Sequence, residues 1–212
     1  MPWIKFLKNN GFDVFAVVPS GAWNKQIEAS GAKLVKWELS RSGRNPIQEI
    51  SSILGLARIL RQIKPDIVHN FHTKPNIYAP IAAKIAGIQL TISTVTGLGY
   101  AFVDRPGFGT KFGKMLNLGM YSLSNRVADE ITFQNPDDMK LLREHYGLPK
   151  SKGRLIPGGS GVDITEYLPN TRDSAQSTKI RFSLGIPKES FVAMFVGRLQ
   201  LDKGLMEFVE AA

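Results

Sequence analysis

Short apolar runs alternate with longer amphipathic stretches along most of the 212-residue chain, and this alternation restricts the fold more than any other feature. Six such runs have the length and character of buried strands, and each is bounded by polar residues, glycine or proline. They are Val14–Val18, Lys33–Trp37, Ile67–Asn70, Leu90–Val95, Glu130–Phe133 and Arg154–Ile156. Strands that alternate with helices predict an α/β fold, with a doubly wound, Rossmann-like parallel sheet covered on both faces.

Two of the stretches between these runs carry clear helical signals. The first lies between Pro46 and Pro65 and has apolar residues at steps of three and four, namely Ile47, Ile50, Ile53, Leu54, Ala57 and Leu60. The second has Pro75 at its start and Gly87 after its end, an arrangement typical of helix termini. Ligands of doubly wound sheets bind beyond the carboxyl ends of the strands, so residues that follow a strand are the candidates for a site.

The organisation of the chain predicts one nearly complete domain and the beginning of another. We expect a first domain over residues 1–157, a linker over 158–190 and the start of a second domain over 191–212. In that last part, Phe191–Val196 predicts a buried strand and Leu205–Ala212 predicts the helix after it. The first ten residues resemble the end of a helix that no strand precedes. We therefore expect the chain to be a fragment of a longer protein.

The formal net charge of +9 lies entirely in the first part of the chain. Residues 1–120 contain 15 Lys and Arg against 6 Asp and Glu, whereas residues 121–212 contain 12 of each kind. The basic residues are scattered and no nucleic-acid-binding module is recognisable, which favours a membrane surface or a phosphorylated substrate over nucleic acid. A solvated basic surface without a partner is the alternative. The absence of cysteine excludes disulfides and thiolate metal sites.

One basic turn near the end of the chain predicts an anion site. Gly197 ends the apolar run, Arg198 follows it, and Lys203 lies where the next helix begins. An arginine fork can hold two phosphate oxygens, and a lysine adds a point charge beside them. A basic turn that faces solvent is the alternative for so short a pattern.

Five further short sequence motifs precede the GRLQLDKG motif at 197–204. In chain order they are Arg41–Pro46, Lys64–His69, Thr73–Tyr78, Val95–Tyr100 and Gly161–Asp163. With them, nearly the whole chain resembles family 4 retaining glycosyltransferases of the two-domain GT-B fold. It is most similar to bacterial enzymes that extend polyprenyl-diphosphate-linked sugars for surface polysaccharides such as capsule and lipopolysaccharide. The resemblance implies a Rossmann-like acceptor domain followed by the first β-α unit of a donor-binding domain.

The resemblance also implies the chemistry and the partners. A hexose or N-acetylhexosamine would move from a nucleotide-sugar donor to a lipid-linked acceptor, without a metal or another cofactor. The protein would be cytoplasmic and peripheral on the inner-membrane surface, with no role for nucleic acid. Consistent with this, the sequence shows no run of 18 apolar residues and no signal peptide. The basic and aromatic stretch Tyr100–Leu123 would contact the membrane or the acceptor diphosphate, or be a packed helix with a solvated basic face.

Site residues follow from the resemblance position by position. Arg198 and Lys203 would be catalytic and would bind the donor diphosphate together with Gly197. Candidates for the cleft or the acceptor are Thr96, Gly97, Leu98, Gly99, His72 and Lys74. Many relatives have a histidine where this chain has Thr96, which leaves the sugar preference open. A plain turn at 96–99 and a hydrogen-bonded histidine at position 72 are the structural alternatives.

Two expected parts of the family's machinery have no counterpart among the 212 residues: a glycine-rich loop after a first strand and an acidic motif of the donor domain. We therefore expect no turnover by this chain alone. The alternative function is a non-catalytic remnant that binds lipid or a membrane surface. A Rossmann-type epimerase or dehydrogenase would need a GxGxxG motif opening the first helix, and the sequence contains none.

Overall fold

The computed structural model describes residues 2–39, 46–97, 111–157, 159, 161, 175–197, 199 and 203–211, with the backbone alone for 111–117. The chain divides into two compact units, Met1–Val162 and Asp163–Ala212. Each unit is considered by itself below.

The described part of the first unit alternates helices and strands as the sequence predicts. Each predicted strand is confirmed to within one residue at either end. The elements are α1 (Pro2–Asn9), β1 (Phe15–Val18), α2 (Asn24–Ala29), β2 (Lys33–Lys36), α3 (Pro46–Ile63), β3 (Ile67–Phe71), α4 (Thr73–Ala86), β4 (Leu90–Val95), α5 (Lys111–Val127), β5 (Glu130–Phe133), α6 (Pro136–His145) and β6 (Arg154–Leu155).

All the strand pairs are parallel, as expected, but they form two sheets. Strands β1 and β2 pair with each other, and a second sheet has the order β3-β4-β5-β6. Strands β1 and β3 do not pair, so the hydrogen-bonded ladder is not continuous across the unit. In the larger sheet Phe71 lies opposite Thr94, and Val95 lies opposite Phe133. The carboxyl ends of these three strands therefore meet at one edge.

The core lies on one face of the larger sheet. Helix α4 packs there between α3 and α5, and the small side chains of Ala82 and Ala83, both fully buried, allow close approach. The other face is only partly covered, since Ile67, Phe71 and Leu90 are 44%, 38% and 36% exposed. This differs from the expected cover on both faces. The reason is that right-handed crossovers between adjacent parallel strands place successive helices on the same side.

Helix α4 contains a proline that the packing accommodates. Pro80 has no N–H to donate to the carbonyl of Asn76 four residues earlier, a loss that normally breaks a helix. The hydroxyl of Ser124 on α5 donates to that carbonyl instead. Gly87 then ends the helix in the left-handed conformation (φ 80°) that glycine adopts readily. The contact between α4 and α5 thus completes the hydrogen bonding of the helix that begins at the candidate site.

The described part of the second unit contains two helices, α7 (Ala175–Ser183) and α8 (Leu205–Glu210), and α7 falls in the predicted linker. The strand predicted over Phe191–Val196 does not form: Phe191 is 90% exposed and Val196 is 82% exposed. A strand requires a hydrogen-bonded neighbour, and the described residues of this unit include no second strand. The segment 191–196 instead contacts α8 through Phe195, whose ring centroid lies 5.7 Å from that of Phe208 on α8.

Candidate functional site

The candidate site lies at the carboxyl edge of the four-stranded sheet. His72 and Lys74 follow β3, and Thr96 and Gly97 follow β4, which pairs with β3 in register. The structure therefore brings four of the predicted cleft residues to one edge. The other two cleft candidates, Leu98 and Gly99, lie outside the described residues.

His72 makes the turn from β3 into α4 in an unusual backbone conformation. Its φ of 70° and ψ of 161° lie in a region that only glycine enters readily. Such a conformation costs about 1–3 kcal/mol. The turn is held by the start of α4, where the amide of Asn76 donates to the His72 carbonyl at 3.0 Å. The imidazole itself is exposed at the edge.

Lys74 forms an ion pair with Glu49, a residue that the sequence analysis did not single out. The Lys74 Nζ lies 3.2 and 3.4 Å from the two carboxylate oxygens of Glu49 and 5.7 Å from the centre of the Tyr78 ring. The Glu49 side chain is 10% exposed and that of Lys74 is 26% exposed. A cation in the first turn of α4 is disfavoured by the helix dipole, whereas an anion in the first turn of α3 is favoured. Glu49 therefore offsets the unfavourable position of Lys74 and fixes its ammonium group.

Asn76 joins the start of α4 to the end of β4. Its Nδ2 donates to the Thr94 carbonyl at 2.9 Å, and the residue is 4% exposed. Its Oδ1 is buried and has no hydrogen-bond partner in the part of the chain that the structure describes. Since Thr96 lies two residues beyond Thr94, this contact sets the distance between the β3 and β4 turns. Asn76 is thus a second residue of the edge that sequence reasoning missed.

Gly97 has a φ of 132°, a value that L side chains rarely adopt. A Cβ atom built there would meet none of the described residues within 4 Å. Backbone conformation rather than crowding therefore requires glycine at this position. Thr96 and Gly97 are both half-buried, so the turn remains within reach of a ligand at the edge.

His69 is engaged within the sheet. Its Nε2 lies 2.8 Å from the Thr94 hydroxyl, which lies 2.8 Å from the Thr132 hydroxyl on β5. Burial lowers the pKa of His69 because the charged imidazolium loses hydration. The row of polar groups crosses β3, β4 and β5 just before their carboxyl ends. It supports the edge from inside the sheet.

Asn135 begins α6 immediately after β5, at the same edge. Its Oδ1 accepts a hydrogen bond from the Asp138 amide at 2.8 Å, and its Nδ2 donates to the Asp138 carboxylate at 2.8 Å. Pro136 occupies the first helical turn, where the missing N–H carries no penalty. Asn135 is a helix cap of ordinary type, so its conformation requires no ligand.

In the second unit, Lys203 is exposed and precedes Gly204, which caps α8 with a φ of 75°. Gly197 is likewise exposed, while Arg198 between them is outside the described residues. The roles of Gly197, Arg198 and Lys203 at the donor diphosphate therefore stay predictions.

Two concave surfaces of the first unit, of about 320 and 550 Å³, lie at the opposite, amino edge of the sheet. Both are lined by Gly87, Ile88 and Gln89, which precede β4. The Asp129 carboxylate there accepts a hydrogen bond from the Thr91 amide at 2.7 Å and so braces the strand ends. The carboxyl edge, which carries the strained turn and the buried ion pair, is the better candidate. Among the described residues, no three His, Asp or Glu side chains converge as metal ligands.

Comparison with known proteins relates this fold to sugar transfer. The sequence profile of the glycosyl transferase 4-like family matches residues 1–135. Over its whole length the chain is 29% identical to the N,N'-diacetylbacillosaminyl-diphospho-undecaprenol alpha-1,3-N-acetylgalactosaminyltransferase of Campylobacter jejuni and covers 55% of that protein. Over 78% of its length it is 31% identical to the UDP-Gal:alpha-D-GlcNAc-diphosphoundecaprenol alpha-1,3-galactosyltransferase of Escherichia coli and covers 40% of it. The chain thus spans about half the length of the relatives it matches.

The structure is similar to the crystal structure of a glycosyltransferase from Rickettsia africae. The TM-score is 0.68 at 18% sequence identity, over 98% of this chain and 50% of the other. The expected α/β, GT-B-like fold is thereby confirmed.

Proposed function

Because the chain belongs to the glycosyl transferase 4-like family, we propose that it is the acceptor-side part of a retaining glycosyltransferase. The reaction would move a hexose or N-acetylhexosamine from a nucleotide sugar to a sugar linked to polyprenyl diphosphate. One observation carries the proposal: the similarity to the Campylobacter jejuni enzyme, whose name specifies a diphospho-undecaprenol acceptor, extends over all 212 residues.

The carboxyl edge of the sheet is the proposed place for the acceptor. Ligands of open parallel sheets bind beyond the carboxyl ends of the strands, where Lys74 and Gly97 lie. Lys74 would contribute an ammonium group that Glu49 holds in place, and the Gly97 turn would let the backbone approach a sugar or a phosphate. His72 would present its imidazole beside them.

The donor diphosphate is assigned to Gly197, Arg198 and Lys203 by the family resemblance. Transfer produces a nucleoside diphosphate, and fixed cations would stabilise the charge that develops on this leaving group. Arginine and lysine could do so without a metal ion. Metal independence is part of the proposal.

We further propose that the protein works at the cytoplasmic face of the membrane as a peripheral protein, since the acceptor is a lipid. Among the described residues, no helix has the length and apolar character needed to span a bilayer. The basic excess of residues 1–120 is suited to attraction by anionic headgroups.

Acceptor binding tests the proposal. The 212-residue chain is titrated with nanodiscs of one zwitterionic lipid that contain diphosphoundecaprenol-linked N-acetylglucosamine, undecaprenyl monophosphate or neither. We expect binding that requires the diphosphate sugar and weakens about tenfold in Lys74→Met, which removes one charged contact. Lys84→Met, a matched change in the last turn of α4, serves as the control. Equal binding to all three nanodiscs would instead favour the non-catalytic, lipid-binding alternative.

A further inference from the structure

Helix α3 exposes an apolar stripe on its outer face. Ile47, Ile50 and Leu54 are 77%, 57% and 53% exposed. Their spacing of three and four residues places them on one side of the helix. The buried side, which carries Ile53, Leu56, Ala57 and Leu60, lies about a quarter turn away around the helix. The apolar surface of the helix therefore extends beyond the part that the core covers.

The same outer stripe continues into two arginines. Arg58 and Arg61 follow Leu54 at steps of four and three residues and are exposed, although the Arg61 guanidinium also donates to the Ile85 carbonyl at 2.8 Å. From Ile47 to Arg61 the stripe is about 21 Å long, at 1.5 Å per residue. The acidic residue of this helix, Glu49, points inward to Lys74 and is 8% exposed. The outer face thus combines three aliphatic side chains with positive charge and no carboxylate.

We propose that this stripe of α3, Ile47, Ile50, Leu54, Arg58 and Arg61, docks the protein on an anionic lipid surface. The inference deepens the proposed function, because an enzyme whose acceptor is a membrane lipid must reach that membrane. The aliphatic side chains enter the boundary between headgroups and acyl chains, and the arginines contact lipid phosphates.

The size of the stripe favours a membrane over a second copy of the chain. Its three aliphatic side chains expose a few hundred Å², whereas a stable protein interface buries about 800 Å² on each partner. A membrane sets no such minimum, because each side chain partitions into the interface separately. The surface differs from the stretch Tyr100–Leu123, for which the sequence analysis left membrane or acceptor contact and a packed helix as alternatives and of which 100–110 lie outside the described residues.

Vesicle binding of the 212-residue chain tests the proposal, with phosphatidylcholine vesicles and equimolar phosphatidylcholine–phosphatidylglycerol vesicles that contain no lipid-linked sugar. We expect tighter binding to the anionic vesicles. The double variant Ile50→Ser/Leu54→Ser should bind about tenfold more weakly per side chain removed. The matched control is Leu118→Ser/Leu123→Ser on α5, where the side chains are 39% and 48% exposed. Arg58→Gln should weaken binding to the anionic vesicles about fivefold and leave binding to the phosphatidylcholine vesicles unchanged. Lys25→Gln on α2 provides the same loss of one charge elsewhere.

Wild-type affinity of the α3 variants, with folding confirmed by circular dichroism, would overturn the proposal. Loss of binding in the α5 control alone would place the contact on α5. A dimer in sedimentation velocity that Ile50→Ser/Leu54→Ser converts to a monomer would show that the stripe is an interface between copies. Because the vesicles contain no acceptor, these results are independent of whether the protein binds a diphosphate-linked sugar.

Discussion

The pair formed by Glu49 and Lys74 should stabilise the first unit measurably. The Glu49 carboxylate is almost buried, so removal of its partner in Lys74→Met leaves an uncompensated charge and should cost about 3 kcal/mol. Glu49→Gln should cost about 2 kcal/mol, because the Lys74 side chain is 26% exposed and retains some hydration. The double variant should recover part of the loss and give a coupling energy of about 1–2 kcal/mol. Two unit charges 3.2 Å apart attract each other by about 5 kcal/mol at an effective dielectric of 20, and desolvation of both groups offsets most of this attraction, which agrees with the expected coupling energy.

Urea unfolding provides the assay. Trp37 is 5% exposed, its Nε1 donates to the Ser52 carbonyl on α3, and its fluorescence should change strongly when α3 separates from the core. The control cycle uses Lys140 and Glu144, a surface pair 4.0 Å apart, for which we expect about 0.5 kcal/mol or less. A coupling energy for Glu49 and Lys74 no larger than that of the surface pair would refute the reasoning.

Three smaller predictions concern the same edge. His72→Gly should stabilise the first unit by about 1 kcal/mol by relieving the strained turn, while His72→Ala should not; both are compared in urea. Asn135→Ala should cost about 1 kcal/mol through loss of the α6 cap, whereas Asn135→Ser, which keeps an acceptor for the Asp138 amide, should cost less. Burial lowers the pKa of His69 in the folded chain. Around and below the ordinary histidine pKa of about 6.5, the unfolded chain therefore binds more protons than the folded chain. Stability should therefore fall as the pH drops from about 7 to about 5.5, and His69→Gln should reduce that slope.

Helix α3 illustrates what the sequence could and could not predict. Its ends were predicted from Pro46 and Pro65, since proline limits a helix at either side. Six apolar positions, Ile47, Ile50, Ile53, Leu54, Ala57 and Leu60, predicted a helix of the right length. They could not indicate which part of the helix faces the core, because the apolar residues cover a wider face than the core buries. Only the packing shows that Ile53 is buried and Ile50 exposed.

The candidate site was predictable in its position and not in its interactions. Residues that follow strands could be placed at the carboxyl edge, because apolar runs bounded by turn residues define strand ends well. Glu49 and Lys74 are 25 residues apart, and no local pattern relates them. The strain at His72 was equally hidden, since histidine is not a residue that predicts a positive φ. Phe191–Val196 was predicted from apolar character alone, which does not ensure a neighbouring strand.

The most direct test of the account is sugar transfer by a chimera, in which residues 1–162 replace the corresponding part of the Escherichia coli relative. That relative is named for transfer from UDP-Gal to a diphosphoundecaprenol-linked sugar, and the rest of its chain is kept unchanged in the chimera. We predict radiolabelled galactose on a lipid-linked diphosphate acceptor, and its loss when Lys74→Met weakens acceptor binding. A chimera that binds UDP-Gal as tightly as its parent, yet labels no lipid-linked diphosphate sugar, would contradict the account.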